Sequence, residues 1–267
     1  MAGKAKKIIL GTGAAFLVLV LAAFYIVAFH MGAIVKHGIE RFMPSITGTP
    51  VKVGSVSCSP FSGHINVKDF IIYNPEGYKS EYAFNVKEFT LTVNVMSVLS
   101  NNIFIHKILV DGLSVSYEQG LTGCNLTDIK KNIDKLSEKD TSKEKTPTEK
   151  TSEETSPSTE KRFQIKEFDF QNSSVAVSTP VTGGKGISLP LPLPGIHIKE
   201  LGMKDGNGVT GKEMATVIFA EIIEATVDAV RKSSVNLNSD VLNSLEDGGK
   251  EMLKKSGEMI KDIKNLF

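Results

Sequence analysis

Hydrophobic and polar positions divide the chain into three regimes. In the first, Ile8 to Val35, the residues are almost wholly apolar and include no Asp, Glu, Lys or Arg. A helix rises ~1.5 Å per residue and a bilayer core is ~30 Å thick, so about 20 apolar residues cross it. Ile8 to Phe29 meets that length alone and predicts a retained transmembrane helix. A cleaved signal peptide has a shorter apolar stretch ending at a small-x-small site, and Val27-Ala28-Phe29-His30-Met31 is a poor one. A buried core helix would show a polar face. Lys4, Lys6 and Lys7 precede the run without acids, whereas Lys36, Glu40 and Arg41 follow it as a mixed set. The positive-inside bias therefore predicts a cytoplasmic N-terminus, with everything after Val35 outside the cytoplasm. Ile34, Val35, Gly38, Ile39, Phe42 and Met43 continue at helical spacing until Pro44, Gly48 and Pro50.

From Val51 the period becomes two. Val51 and Val53 alternate with polar residues, and Ile65 to Tyr73 reads as a strand. Asn74-Pro75-Glu76-Gly77 has type I turn chemistry. Phe89, Leu91, Val93 and Val95 alternate with Thr90, Thr92 and Asn94, which predicts a strand with one wet and one dry face. Ile103 to Val110 follows, then Asp111-Gly112 as a bend or hairpin turn, then Leu113, Val115 and Tyr117. Beyond the middle of the chain, Phe168 and Phe170, Gln171 to Ser174, then Val175 and Val177 read as a hairpin. The Leu-Pro repeat Leu189 to Pro194 fits along a sheet edge, and Ile196 to Leu201 is the last clear strand.

A motif recurs in these strands: Asn66-Val67-Lys68-Asp69-Phe70, Asn85-Val86-Lys87-Glu88-Phe89, Gln164-Ile165-Lys166-Glu167-Phe168 and His197-Ile198-Lys199-Glu200-Leu201. Ile105-His106-Lys107-Ile108 is a weaker copy. The two apolar residues are three apart, so a regular strand would put them on opposite faces. A one-residue bulge at the Lys-acid pair returns them to one face, and repeated bulges curve a sheet.

The remaining regime is helical or featureless. Leu126, Ile129, Ile133 and Leu136 share a face of a short helix. Residues 137–161 hold no aliphatic or aromatic residue and predict a disordered, solvated linker. Thr210 with Glu213 is a capping box opening a helix with Met214, Val217, Ile218, Ile222, Ala225 and Ala229 on one face. A second amphipathic pattern, Leu242, Leu245, Met252, Ile260, Ile263 and Phe267, fits a sheet, a membrane surface or a partner. The predicted organisation is a stub and anchor (1–35), a first β region (36–136), the linker (137–161), a second β region with its helix (162–235) and a C-terminal amphipathic helix (236–267).

Composition and motifs narrow the chemistry. The 267 residues carry a net charge of +1, which argues against a nucleic-acid partner. Cys58 and Cys124 match no zinc spacing and are expected as unpaired thiols. His64, His106 and His197 fall in separate strands, without a nucleophile motif. Thr182 to Gly186 lacks the Gly-Lys-Ser/Thr ending of a phosphate cradle, and no His-Glu-x-x-His or dinucleotide fingerprint occurs. The expectation is no catalysis, no metal and no cofactor. The dry face is expected to be lined by Phe89, Leu91, Val93, Val95, Leu113, Val115, Tyr117, Phe168 and Phe170. Helices can fill it, or an acyl chain can, at ~0.8 kcal/mol per buried CH₂.

Several of these stretches occur in a telling order: Phe61-Ser62-Gly63, the strand to Tyr73, Asn74 to Gly77, Val86 to Val95, Ser97-Val98-Leu99, Ile105 to Glu118 and Gly123-Cys124-Asn125-Leu126. Leu189-Pro190-Leu191-Pro192, Ile196-His197-Ile198 and Gly208 to Glu213 follow. The succession, over most of Val35 to Val230, resembles the N-terminal region of the bacterial AsmA family of envelope proteins. The resemblance implies a single-pass inner-membrane anchor with the bulk periplasmic and a mainly β, α+β fold. That fold is a curved, taco-like antiparallel sheet followed by C-terminal amphipathic helices. The family in turn resembles chorein-type lipid-transfer proteins, whose groove holds acyl chains, so membrane lipid is the implied partner and envelope assembly the implied role. This chain is shorter than large members and too short to bridge two membranes alone. The alternative is a membrane-tethered scaffold with a filled, lipid-free core that binds other envelope proteins.

Overall fold

The computed structural model describes residues 18–19, 25, 30–120, 123–141, 161–178, 190–204, 206–233 and 239–259. Helix α1 (residues 30–47) leads into strands β1 (Val51–Ser59), β2 (His64–Tyr73), β3 (Tyr82–Val93) and β4 (Asn102–Glu118), with a 3-10 helix at Val95–Leu99. Helix α2 (Asn125–Thr141) follows, then β5 (Arg162–Gln171), β6 (Ser174–Ser178), β7 (Leu191–Pro192), β8 (Ile196–Leu201) and β9 (Val209–Thr210). Helices α3 (Gly211–Lys232) and α4 (Ser239–Met259) complete the fold. Among the described residues no helix is long and apolar enough to cross a membrane. Most of the apolar run from Ile8 lies outside them.

Among the described residues one nine-stranded sheet forms the framework, with the path β1-β2-β3-β4-β5-β8, β6 paired with β4 and β7, and β9 paired with β5. It is antiparallel from β1 to β4, as expected, but β5 and β6 both run parallel to β4. The expected hairpin at Gln171 to Ser174 is therefore absent. The chain runs straight on, so Phe168 pairs with Ile108 and Val175 with Val115. Asp111-Gly112 is likewise no turn but lies inside the unbroken β4. Parallel strands need a crossover. Here α2 is part of the crossover, with Ser137 to Thr141 continuing the helix rather than opening the linker, and residues 142–160 of the expected linker lie outside the described residues.

The three-residue steps keep the apolar face on one side, as the motif predicts, but by a different device from isolated bulges. Register is constant through most of the antiparallel ladders. Gly54, Asp69, Lys87, Gly112 and Asn172 stand in one row, so every strand carries its extra residue at the same level. Asp69, Gly112 and Asn172 take φ of 54°, 71° and 52°. Gly112 needs its missing side chain there: a Cβ would sit 3.0 Å from that of Lys87. A second row joins His106, Lys166 and Glu200, the last at φ 56°. The register slips where β3 lacks a counterpart to His106, between Thr92 and Val93, and also between Ile72 and Tyr73 at the far end of β2.

Helix α1 lies along the free edge of β1. The Glu40 carboxylate accepts the Val53 N–H at 2.9 Å and the Lys36 ammonium donates to the Gly54 carbonyl at 3.0 Å. Gly32 abuts the Val56 carbonyl so closely that a Cβ would overlap it. An open edge is a template for unwanted pairing, and this helix covers it. Two residues past Glu40, Phe42 borders Gly211 beside Phe163 of β5. In a flat sheet β1 and β5 would be ~19 Å apart. A single helix bridging them means the sheet is strongly coiled.

The end of the sheet away from the β1–β2 turn is closed by a polar staple. Glu118 accepts the Lys79 N–H at 2.8 Å, the Ser80 N–H at 2.7 Å and the Ser80 hydroxyl at 2.6 Å. Asn125 accepts the Glu118 N–H and donates to Asn74 Oδ1 and the Ser116 carbonyl. Tyr78 donates to Asp128 at 2.7 Å. Stretches far apart in sequence, around Asn74, Glu118 and Asn125, thus meet in one network. Glu118→Gln is expected to cost roughly 2–4 kcal/mol near neutral pH, measured by denaturant unfolding. Burial raises this carboxyl's pKa, but the Ser80 hydroxyl and the Lys79 and Ser80 amides outweigh it and hold it below the ordinary value. An acid with a depressed pKa stabilises the fold above its unfolded pKa and loses that contribution as pH falls. The difference between variant and parent should therefore shrink below about pH 4.

Candidate apolar groove

The apolar face of the coiled sheet is filled at one end and half-open at the other. Leu113, Val115, Tyr117, Phe168 and Phe170 are buried. With them are buried Leu126, Ile129 and Ile133 of α2 and much of α3. Phe84 meets Phe219 of α3 edge-on at 5.6 Å between ring centres. The predicted face of α3 is present, with Val217, Ile222, Ala225 and Ala229 buried, but Phe219, Ala220, Ile223 and Val230 are buried too. The helix is enclosed on more than one side because α4 packs on it, with Leu242 and Met252 buried and Arg231 paired with Glu246. The C-terminal pattern from Ile260 onward lies outside the described residues.

Toward the β1–β2 turn the same face is only half-buried. Phe89 and Leu91 lie there, as expected, and Val93 is buried at its border. Ile65, Ile103 and Phe163 join them, and Phe70, level with Val86 and Leu113 in the ladder, meets Phe89 edge-on at 5.7 Å from the border with the filled end. Ile39 and Met43 of α1 and Met214 and Ile218 of α3 are also half-buried against this core. Simple alternation misses Ile65 and Phe70, because only the three-residue step at Lys68-Asp69 puts them on the dry side. Val95 is a correction. It leaves the sheet for the 3-10 helix and is exposed, because Asn94 caps that helix by accepting the Met96 and Ser97 N–H groups. Leu191 and Leu193 pack along the sheet edge as the Leu-Pro repeat predicts, with Leu193 buried and bonded to the Ser173 carbonyl. Cys58 and Cys124 are both free thiols, one in β1 near the open end and one buried beside Thr127.

Glu221 lies three residues past Ile218 and seven past Met214 on the same helical stripe. Burial, with Glu224 adding repulsion, pushes its carboxyl up to about 7. Near neutral pH this wall of α3 therefore offers a group that can donate as well as accept a hydrogen bond. Elsewhere His197 pairs with Asp169 at 2.9 Å and Lys107 with Asp169 at 2.7 Å. Among the described residues no cluster of His, Cys, Asp or Glu could hold a metal ion.

The raised Glu221 pKa has a definite sign. Between 4.5 and about 7 the folded state holds more protons than the unfolded chain, so stability falls as pH rises through that window. Glu221→Gln removes this penalty. After discounting for solvent screening, the variant should be more stable than the parent by roughly 1–2 kcal/mol at about pH 8 and equal to it at about pH 4. Denaturant unfolding at the two pH values measures this.

No curated protein and no solved structure matches the chain. The sequence profile of the AsmA family matches residues 4–183. That span takes in the apolar run, the edge-covering helix and the strands through β6. With its order of motifs carried by a coiled sheet around one dry face, the chain belongs to the AsmA family.

Proposed function

We propose that this chain is a single-pass inner-membrane protein, N-terminus cytoplasmic and bulk periplasmic, that binds a membrane lipid by its acyl chain and supports envelope assembly. The observation that carries the reading is the half-buried stretch of the dry face at Ile65, Phe89 and Leu91, in a core against which Met43 and Ile218 of two helices are also only half-buried. Such a surface gains by taking up hydrocarbon, at ~0.8 kcal/mol per CH₂ buried. Family membership supports an envelope setting, and the apolar run Ile8–Phe29 supports the anchor. On this reading the protein holds lipid and performs no chemistry on it. The filled end of the face, where α3 lies over Phe84, favours a second reading: a tethered scaffold that binds envelope proteins with no lipid inside.

Two substitutions separate these readings. Leu91→Asn, at the half-open end, should cost under about 1.5 kcal/mol yet abolish co-purified phospholipid in native mass spectrometry of the full chain. Leu113→Asn, at the filled end, should cost roughly 3–5 kcal/mol through lost packing and an unsatisfied amide. A parent protein that carries no phospholipid, together with discrete protein adducts on crosslinking in cells, would favour the scaffold.

A further inference from the structure

The end of the sheet beside the start of α1 carries a cluster of exposed apolar side chains on two adjacent connections. Phe61 in the β1–β2 turn is 80% exposed, and Met96 and Leu99 on the 3-10 helix are 78% and 85% exposed. The two connections touch: the Gly63 carbonyl accepts the Val93 N–H at 2.9 Å, and Val95 lies against Gly63. Neither residues 59–64 nor residues 94–102 include an Asp, Glu, Lys or Arg. Solvated loops seldom combine large apolar side chains with so little charge.

Two further observations identify what covers this tip. The first is its level. Gly32 of α1 lies against Val56 and Ser57 of β1, and the two elements run antiparallel. From Ser57 to Phe61 the chain advances about 7–10 Å, which a helix covers in roughly five to seven residues. Counted back from Gly32, that interval falls at residues 25–27, inside the apolar run, and Tyr25 is itself helical. The second is the backbone of the connection at Val95–Leu99, several of whose polar groups are bonded by the side chains of Asn94, Ser97 and Ser100 and by Lys161. Asn94 Oδ1 accepts the Met96 and Ser97 N–H groups, and Ser97 Oγ donates to the Asn94 carbonyl and accepts the Phe104 N–H. Ser100 Oγ donates to the Ser97 and Asn102 carbonyls, and Lys161 donates to the Ser100 carbonyl at 2.6 Å. A loop so closed can enter a medium that offers no hydrogen bonds without stranding its amides.

We propose that Phe61, Met96 and Leu99 form a bilayer-docking tip, seated in the outer leaflet of the same membrane that holds the anchor. This inference rests on the proposed anchor. The tip would press the half-open end of the dry face toward the lipid, so an acyl chain could pass into it without crossing water.

The chain contains no Trp, so single-Trp variants of the full chain report each site separately. The variants are Phe61→Trp, Leu99→Trp, Glu76→Trp at the far end of the sheet and Leu19→Trp in the apolar run. Each is reconstituted in phosphatidylcholine vesicles with or without acyl-chain bromination. The expected result is blue-shifted emission, strongly quenched by brominated lipid, for Leu19→Trp, Phe61→Trp and Leu99→Trp, with solvent-like, unquenched emission for Glu76→Trp. If Leu19→Trp is quenched while Phe61→Trp and Leu99→Trp behave like Glu76→Trp, the tip is overturned and the anchor stands. Blue-shifted but unquenched emission at Phe61→Trp and Leu99→Trp would mean that protein, such as a second copy, covers the tip, and also overturns it. Without quenching of Leu19→Trp, anchor and tip fall together.

Discussion

Two-fold alternation along a strand is an unforgiving constraint. One added residue exchanges the wet and dry sides of everything beyond it. This protein adds a residue to strand after strand and still keeps one dry face, because the additions line up. The row Gly54, Asp69, Lys87, Gly112 and Asn172 acts as a fold line across the sheet, and His106, Lys166 and Glu200 form another. Residues such as Asp69, Asn172 and Glu200, held at positive φ, accept local backbone cost in return for a shared bend. The coil that results lets one helix touch both β1 and the region of β5.

Coiling poses two problems, an exposed edge and an exposed interior, and helices address both. The α1 helix supplies Glu40 and Lys36 to the unpaired backbone of β1, so the edge is occupied by charge rather than left as a template. Helices α2, α3 and α4 close the interior at the end stapled by Glu118 and Asn125. At the other end, among the described residues, only α1 and the start of α3 approach the sheet, and Phe89 and Leu91 stay half-buried. The molecule thus combines an ordinary core with an apolar surface only partly shielded from water. This division suits a protein that must remain folded whether or not its groove is occupied.

Much of this was legible in sequence because it depends on local chemistry. The capping box of Thr210 and Glu213, the apolar faces of α2 and α3, the dry side of Phe89, Leu91 and Val93, and the three-residue step of the motif all follow from spacing. Asp111-Gly112 and Gln171 to Ser174 misled for a physical reason. Gly and Asn adopt the same positive-φ backbone in a tight turn and in a mid-strand kink. The neighbouring strands decide which of these forms. Val95 misled similarly, since alternation cannot show that Asn94 will cap a helix instead of extending the strand.

By itself, then, the sequence determined which residues avoid water and at what period, since side-chain chemistry and backbone geometry act over a few residues. Only the tertiary structure decided that β5 and β6 lie parallel to β4, that the extra residues align in rows, and that the helices fill one end of the dry face and leave the other half-open. Those outcomes depend on contacts between segments such as Phe42 with Gly211 and Asn74 with Asn125. Their partners are distant along the chain, and no local pattern encodes the pairing.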